Sequence, residues 1–126
     1  MHNPALVDPM YEVPRTTQHE GEPPRRWFTC RSADLYVWGE DRCIDSFEFC
    51  YDKPRDEHSL RWSEVGGFQH MRIDDGESTP LANETPIAVP DGRFDLTDIA
   101  FRFEAVGAGI DPTVYRFVLK ALHQGG

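Results

Sequence analysis

Between Arg25 and Asp74 the chain runs through five short segments, RRWFTC, DLYVWG, RCIDSFEFCYDK, HSLRWSE and GFQHMRID. All are rich in aromatic and β-branched residues, which suit a pleated, half-buried surface. The breaks between them, RSA, GED, PRDE and VGG, hold the Gly, Pro, Asp and Ser that turns require. Strands this short and this close in sequence pair with their chain neighbours, so the segment predicts an antiparallel meander. In the longest segment, RCIDSFEFCYDK, the faces sort at period two. Phe47, Phe49 and Tyr51 point one way, and Ile44, Ser46, Glu48 and Cys50 the other. One face is strongly apolar and needs a cover, while the other is mixed. Gly39 to Asp41 is expected to form the tight connection after Trp38.

The cover follows in the sequence. Asp95 can cap a helix, with Phe94 before it and Ile99 after it placed as a hydrophobic staple. Leu96, Ile99, Ala100, Phe103 and Val106 make one apolar stripe, which Gly107 or Gly109 ends. A second helix begins at IDPTVY. Asp111 is its cap, Pro112 takes the first helical position and Ile110 can staple to Tyr115. Its stripe is Val114, Phe117, Val118, Ala121 and Leu122. Two striped helices and one apolar sheet face satisfy each other. The fold class is therefore α+β: an antiparallel meander of four to six strands over about 25–75, with a short edge strand at 87–89, and two C-terminal helices on one face. Phe47, Phe49 and Tyr51 should meet Phe103, Val114, Phe117 or Val118.

Around this unit, residues 1–24 carry five of the ten prolines and four acidic residues against one arginine. Prolines this frequent exclude a regular helix or central strand. The segment reads as a partly disordered or draped arm preceding a single domain at 25–126. Leu6, Val7, Met10, Tyr11 and Val13 could cover an apolar surface or a sheet edge. GESTPLANETPIAVPDGRF reads as a long loop, and long ordered loops are often functional.

The formal net charge of −9 opposes attraction to phosphate backbones and anionic lipid. The best local basic patch, Arg25-Arg26 beside Trp27 and Phe28, is only two residues. Neither nucleic acid nor membrane is expected as a partner. Cys30, Cys43 and Cys50 are odd in number and lack a CxxC. Small buried thiols in a reducing compartment fit them, and with no signal pattern or membrane-length apolar run the expected location is cytoplasmic.

The densest chemistry is HMRIDDGE, residues 70–77. As a strand it puts His70, Arg72 and Asp74 on one face and Met71 and Ile73 on the other. If Met71 and Ile73 point to the core, His70 and Asp74 join the mixed face. Four residues of extended chain span roughly 13 Å, too far for His70 and Asp74 to bind one ion. Asp74-Asp75-Gly76 then reads as turn chemistry. A calcium loop fails because Arg72 and Ile73 break the ligand alternation and Ala82 stands where the late glutamate belongs. His58 and His70 could meet across strands in some registers, but would need a third ligand such as Asp74 or Glu57. No metal and no cofactor is expected. Ser46, Ser59 and Ser63 lack a nucleophile elbow. Cys50 with His70 would sit among acids that disfavour a thiolate. The GAG at 107–109 follows a helix, the wrong context for a dinucleotide loop. No catalytic residue is assigned, and the balance is against an enzyme.

The aromatic pattern carries more. Leu35 and Val37 share one face of their strand, and Tyr36 and Trp38 the other. If Leu35 and Val37 join the core, the mixed face holds Tyr36, Trp38, Ile44, Glu48 and His70, a candidate binding surface or dimer interface. The leading expectation is a non-enzymatic protein-binding or assembly module using this open sheet face, with a protein partner or self-association. The alternative is a small enzyme or a protein binding a small anionic ligand, with a pocket between the outer face and the 76–90 loop. Its polar groups would be His70, Arg72, Asp74 and Glu77. An enclosed pocket rather than a flat patch would favour the alternative.

Overall fold

The computed structural model describes residues 8–14, 25–40, 43–53, 57–74, 87–90 and 94–125. Seven strands form one open antiparallel sheet in chain order. They are β1 (Tyr11–Glu12), β2 (Arg25–Thr29), β3 (Asp34–Glu40), β4 (Cys43–Tyr51), β5 (His58–Ser63), β6 (Gly67–Asp74) and β7 (Ile87–Pro90). Five of them lie within the stretch read as the meander, and β7 is the short edge strand. Register aligns Phe28, Leu35, Phe49, Leu60 and His70 in one row across the sheet, and Val37, Phe47, Trp62 and Phe68 in the next. Phe28, Leu35, Val37, Phe47, Phe49 and Leu60 are fully buried. Side chains of this size contribute roughly 1.5–3 kcal/mol each when buried, which makes this face the core.

Helices α1 (Leu96–Gly107) and α2 (Pro112–Gly125) supply the cover. Asp95 accepts hydrogen bonds from the Thr97 and Asp98 N–H groups and so caps α1. Asp111 accepts from Thr113 N–H at 2.8 Å and caps α2 ahead of Pro112. Both caps satisfy backbone donors that the first turn leaves without partners. Phe103 meets Phe49 edge-to-face, with ring centres 5.4 Å apart, and Phe117 meets Trp62 the same way at 5.4 Å. Arg102 lies over the Tyr51 ring at 5.3 Å. Ile99, Ala100, Val114, Val118 and Leu122 are buried in the same core. Phe94 stacks on His70 at 5.0 Å.

The N-terminal stretch contributes to the same body. Met10 is buried in the core and donates its N–H to Val106 O in α1 at 2.8 Å. The Asp8 carboxylate accepts from the backbone N–H groups of Arg31 and Ser32 and from the Ser32 hydroxyl. Burial alone would raise the Asp8 carboxyl, but these hydrogen bonds outweigh it and leave it below its usual range. Arg26 joins Glu12 to Asp111, tying β1, β2 and the start of α2 together.

Three strand readings change. Ile44 belongs to the core, not to the mixed face. Trp38 pairs with Ser46 while Gly39 pairs with Ile44, so Asp45 is an extra residue and the alternation resets there. Gly39 makes this bulge possible. Its φ is +110°, and a Cβ there would lie 2.5 Å from Cys43 O and 2.8 Å from Asp45 N. Gly39 and Glu40 are accordingly strand residues rather than part of the connection. The faces of β6 are also reversed. His70 points to the helix side and is buried, whereas Met71 is half-buried on the other face, opposite Ser59. Apart from the strands, the expectation of small buried thiols holds for Cys50 alone, since Cys30 is half-buried and Cys43 exposed.

Candidate functional site

The face away from the helices is organised in cross-strand rows. One row runs Arg25, Trp38, Ser46, Ser63, Gly67, and the next runs Trp27, Tyr36, Glu48, Arg61, Gln69. Trp27 and Tyr36 stack with ring centres 5.9 Å apart, and Tyr36 and Trp38 at 6.1 Å. The three rings form a continuous aromatic strip over β2 and β3. Beside it the side chains shrink. Two serines and a glycine follow Trp38 in its row, so the surface drops away behind the indole. The result is a concavity of about 520 Å³, lined by Trp38, Ser46, Glu48, Arg61, Ser63, Gly66, Gly67 and Gln69. That volume lies within the range typical of small-ligand sites, about 300–1,000 Å³.

The polar groups of this notch are held in place. Ser59 donates its hydroxyl to Glu48 Oε2, while Glu48 Oε1 lies 3.5 Å from Arg61 Nη2. Arg61 is half exposed and Glu48 is largely covered. Ser63 Oγ accepts from Gly66 N–H at 2.7 Å, which fixes the turn at the notch rim. Burial pushes the Tyr36 hydroxyl up to about 12, with the Asp34 carboxylate adding to the effect. It is therefore a neutral phenol at ordinary pH.

A third row, Thr29, Asp34, Cys50, Ser59 and Met71, closes the other side of the strip. Asp34 is buried and fully engaged. It accepts from Trp27 Nε1 at 3.1 Å and Thr29 Oγ1 at 2.5 Å, and pairs with Lys53 Nζ. Trp27 is thus locked at one end of the strip. Burial, reinforced by the Glu48 and Glu57 carboxylates, pushes the Cys50 thiol well up. A thiol in that state is a poor nucleophile.

Of the residues singled out in the sequence, Tyr36 and Trp38 lie on this face, and Trp38 lines the notch. His70 and Arg72 do not join them. The register puts Arg72 beside His58 and His70 beside Leu60, on the helix side. There His70 Nε2 lies 2.5 Å from the Tyr51 hydroxyl, and its ring stacks on His58 at 5.3 Å. His58 and His70 do meet, but in a cluster with Tyr51 and Phe94. Among the described residues no three of His, Cys, Asp and Glu converge on a metal-sized site. Asp74 is paired through its backbone with Ile87 in β7, while Glu77 and the 76–86 part of the loop lie outside the described residues. Ser46, Glu48, Arg61, Ser63 and Gln69 come from three strands. Only the register unites them, and no run of the sequence does. Compared with known proteins, the chain matches no protein family, no curated protein sequence and no solved structure.

Proposed function

We propose that this chain is a non-enzymatic recognition module whose working surface is the sheet face opposite the two helices. One observation carries the reading: Trp38 stands at the edge of a ligand-sized notch that two serines and two glycines also line. A tryptophan wall beside small residues accepts a projecting group of a partner or ligand. Such anchors often provide ~2 kcal/mol or more of binding free energy. The state of the polar groups on this face favours binding over chemistry: burial pushes the Cys50 thiol up, away from a thiolate, and the Glu48 carboxylate is already engaged by Ser59 and Arg61.

A fragment library screened by protein-observed NMR tests this. The expected result is a cluster of shift changes at Trp38, Ser46, Arg61, Ser63 and Gln69. Fragments that collect elsewhere, or shift nothing here, would overturn it. Self-association is the second reading, favoured by the Trp27–Tyr36–Trp38 strip, a length of aromatic surface suited to a second copy. Sedimentation would then show a dimer that Trp38→Ala weakens at least tenfold without unfolding the monomer. A monomer at all concentrations removes that reading and leaves the first.

A further inference from the structure

We infer that the notch beside Trp38 is a site for a neutral saccharide, one or two linked sugar rings in length. The inference rests on the reading of this face as a recognition surface. It is drawn from three properties of the lining.

The first is shape. Trp38, Ser46, Ser63 and Gly67 sit on four successive strands in one row. Strands lie about 4.8 Å apart, so the row is about 14 Å long. The Trp38 indole stands at one end, with small side chains beyond it. The opening is a trough along the row rather than a deep hole, and a ring lying flat suits it better than a chain that must enter end-on.

The second is the kind of polar group. Sugar hydroxyls both donate and accept, so a saccharide site must offer both. The guanidinium of Arg61 donates, the Glu48 carboxylate accepts, and the amide of Gln69 and the hydroxyls of Ser46 and Ser63 do both. Ser63 Oγ already accepts from Gly66 N–H, which leaves its own O–H to donate. Glu48 is fixed by Ser59 before any ligand arrives, and a preset acceptor loses less conformational entropy on binding. Trp38 supplies the remaining element. Its partner Tyr36 stacks along the strip, and the indole also forms part of the notch wall. The apolar C–H face of a pyranose ring can pack there while its hydroxyls turn to the polar side.

The third is charge. The two charged groups lining the notch, Glu48 and Arg61, are of opposite sign and already face one another. The site has no net charge to offer an ion. An anionic ligand would in addition meet the field of a chain at −9. A cationic side chain would be drawn by that field but would have to displace Arg61 from Glu48. A neutral polyol uses both groups as they stand.

The test is an NMR titration of the intact chain with neutral oligosaccharides: the trisaccharides of cellulose, starch, chitin and mannan, each at millimolar concentration. Glucuronic acid is the anionic control, and a lysine-rich peptide is the cationic one. The expected result is saturable shift changes at Ser46, Arg61, Ser63 and Gln69 with at least one neutral sugar. Trp38→Ala should weaken that binding at least tenfold and Trp38→Phe should recover part of it. Folding of each variant is checked by the dispersion of its spectrum. If library fragments bind at the notch and no neutral sugar does, the saccharide assignment fails while the recognition surface stands. If neither binds there, both fail. Tighter binding of glucuronic acid or of the peptide overturns the assignment directly.

Discussion

Two glycines of this sheet have positive φ, and they differ in what surrounds them. Gly39 has φ +110° and a Cβ would collide with the Cys43 carbonyl at 2.5 Å, whereas Gly67 has φ +71° and nothing within 4 Å. Replacing either by alanine restricts the unfolded chain equally, so their difference reports the native state alone. At Gly67 the cost is the left-handed conformation of one residue, roughly 1–2 kcal/mol. At Gly39 a comparable or larger strain applies, about 1–3 kcal/mol. In addition, the backbone of Cys43–Asp45 must retreat. That retreat undoes the bulge that turns Ile44 inward, and Ile44, now 5% exposed, would lose part of a burial worth about 2 kcal/mol. The sum is about 2–5 kcal/mol. For 126 residues the unfolding entropy scales to roughly 0.26 kcal/mol/K, so Gly39→Ala should lower Tm by about 8–19 °C and Gly67→Ala by about 4–8 °C. Thermal unfolding followed by circular dichroism measures both. Equal losses in the two variants would refute the bulge as the cause of Ile44's position.

Three further outcomes are expected. Phe103→Ala should cost about 3–5 kcal/mol, because Phe103 is fully buried against Phe49; Phe101→Ala, two residues earlier and 71% exposed, should stay within about 0.5 kcal/mol by the same denaturation assay. The Asp111 carboxyl lies below its usual range, chiefly because Thr113 N–H bonds it and also because of Arg26. A depressed carboxyl stabilises the fold above its unfolded pKa near 3.8 and loses that contribution as pH falls through the lower folded value. Asp111→Ala should therefore remove about 1 kcal/mol at neutral pH and flatten the acid limb of stability below about pH 4. Thiol titration with a disulfide reagent should label the exposed Cys43 rapidly and Cys50 only on unfolding; fast labelling of Cys50 would contradict its burial.

The parts legible in the sequence were those set by one element at a time. Phe47, Phe49 and Tyr51 alternate within a single strand, and Asp95 and Asp111 announce their helices by local capping chemistry. The helix-on-sheet arrangement followed, since each apolar surface had only the other to cover it. What escaped depended on partners from elsewhere. Strict alternation places Ile44 on the mixed face, but a bulge at Asp45 interrupts it, and a bulge is a property of two strands together. Met71 and Ile73 looked like the inward pair of β6, yet His70 faces the core because Tyr51, His58 and Phe94 give its ring a hydrogen bond and two stacking partners. Phe68, which shares the face of His70 and sits opposite Trp62, was the available signal. The notch itself is a row of small residues on neighbouring strands beside one tryptophan, and it exists only once the register is set.

Under the proposed function, the hollow beside Trp38 receives a ligand and does not serve the core. Ser63→Phe tests it by filling the hollow from the middle of its floor, on the face away from the helices. The measurement is fragment-induced shift change at Trp38 and Gln69 in the variant against the parent protein. The expected result is an unfolding free energy within about 1 kcal/mol of the parent, as for substitutions outside the core, together with loss of the fragment-induced shifts. A variant that unfolds, or one that keeps binding fragments at Trp38 and Gln69 as the parent does, would contradict it.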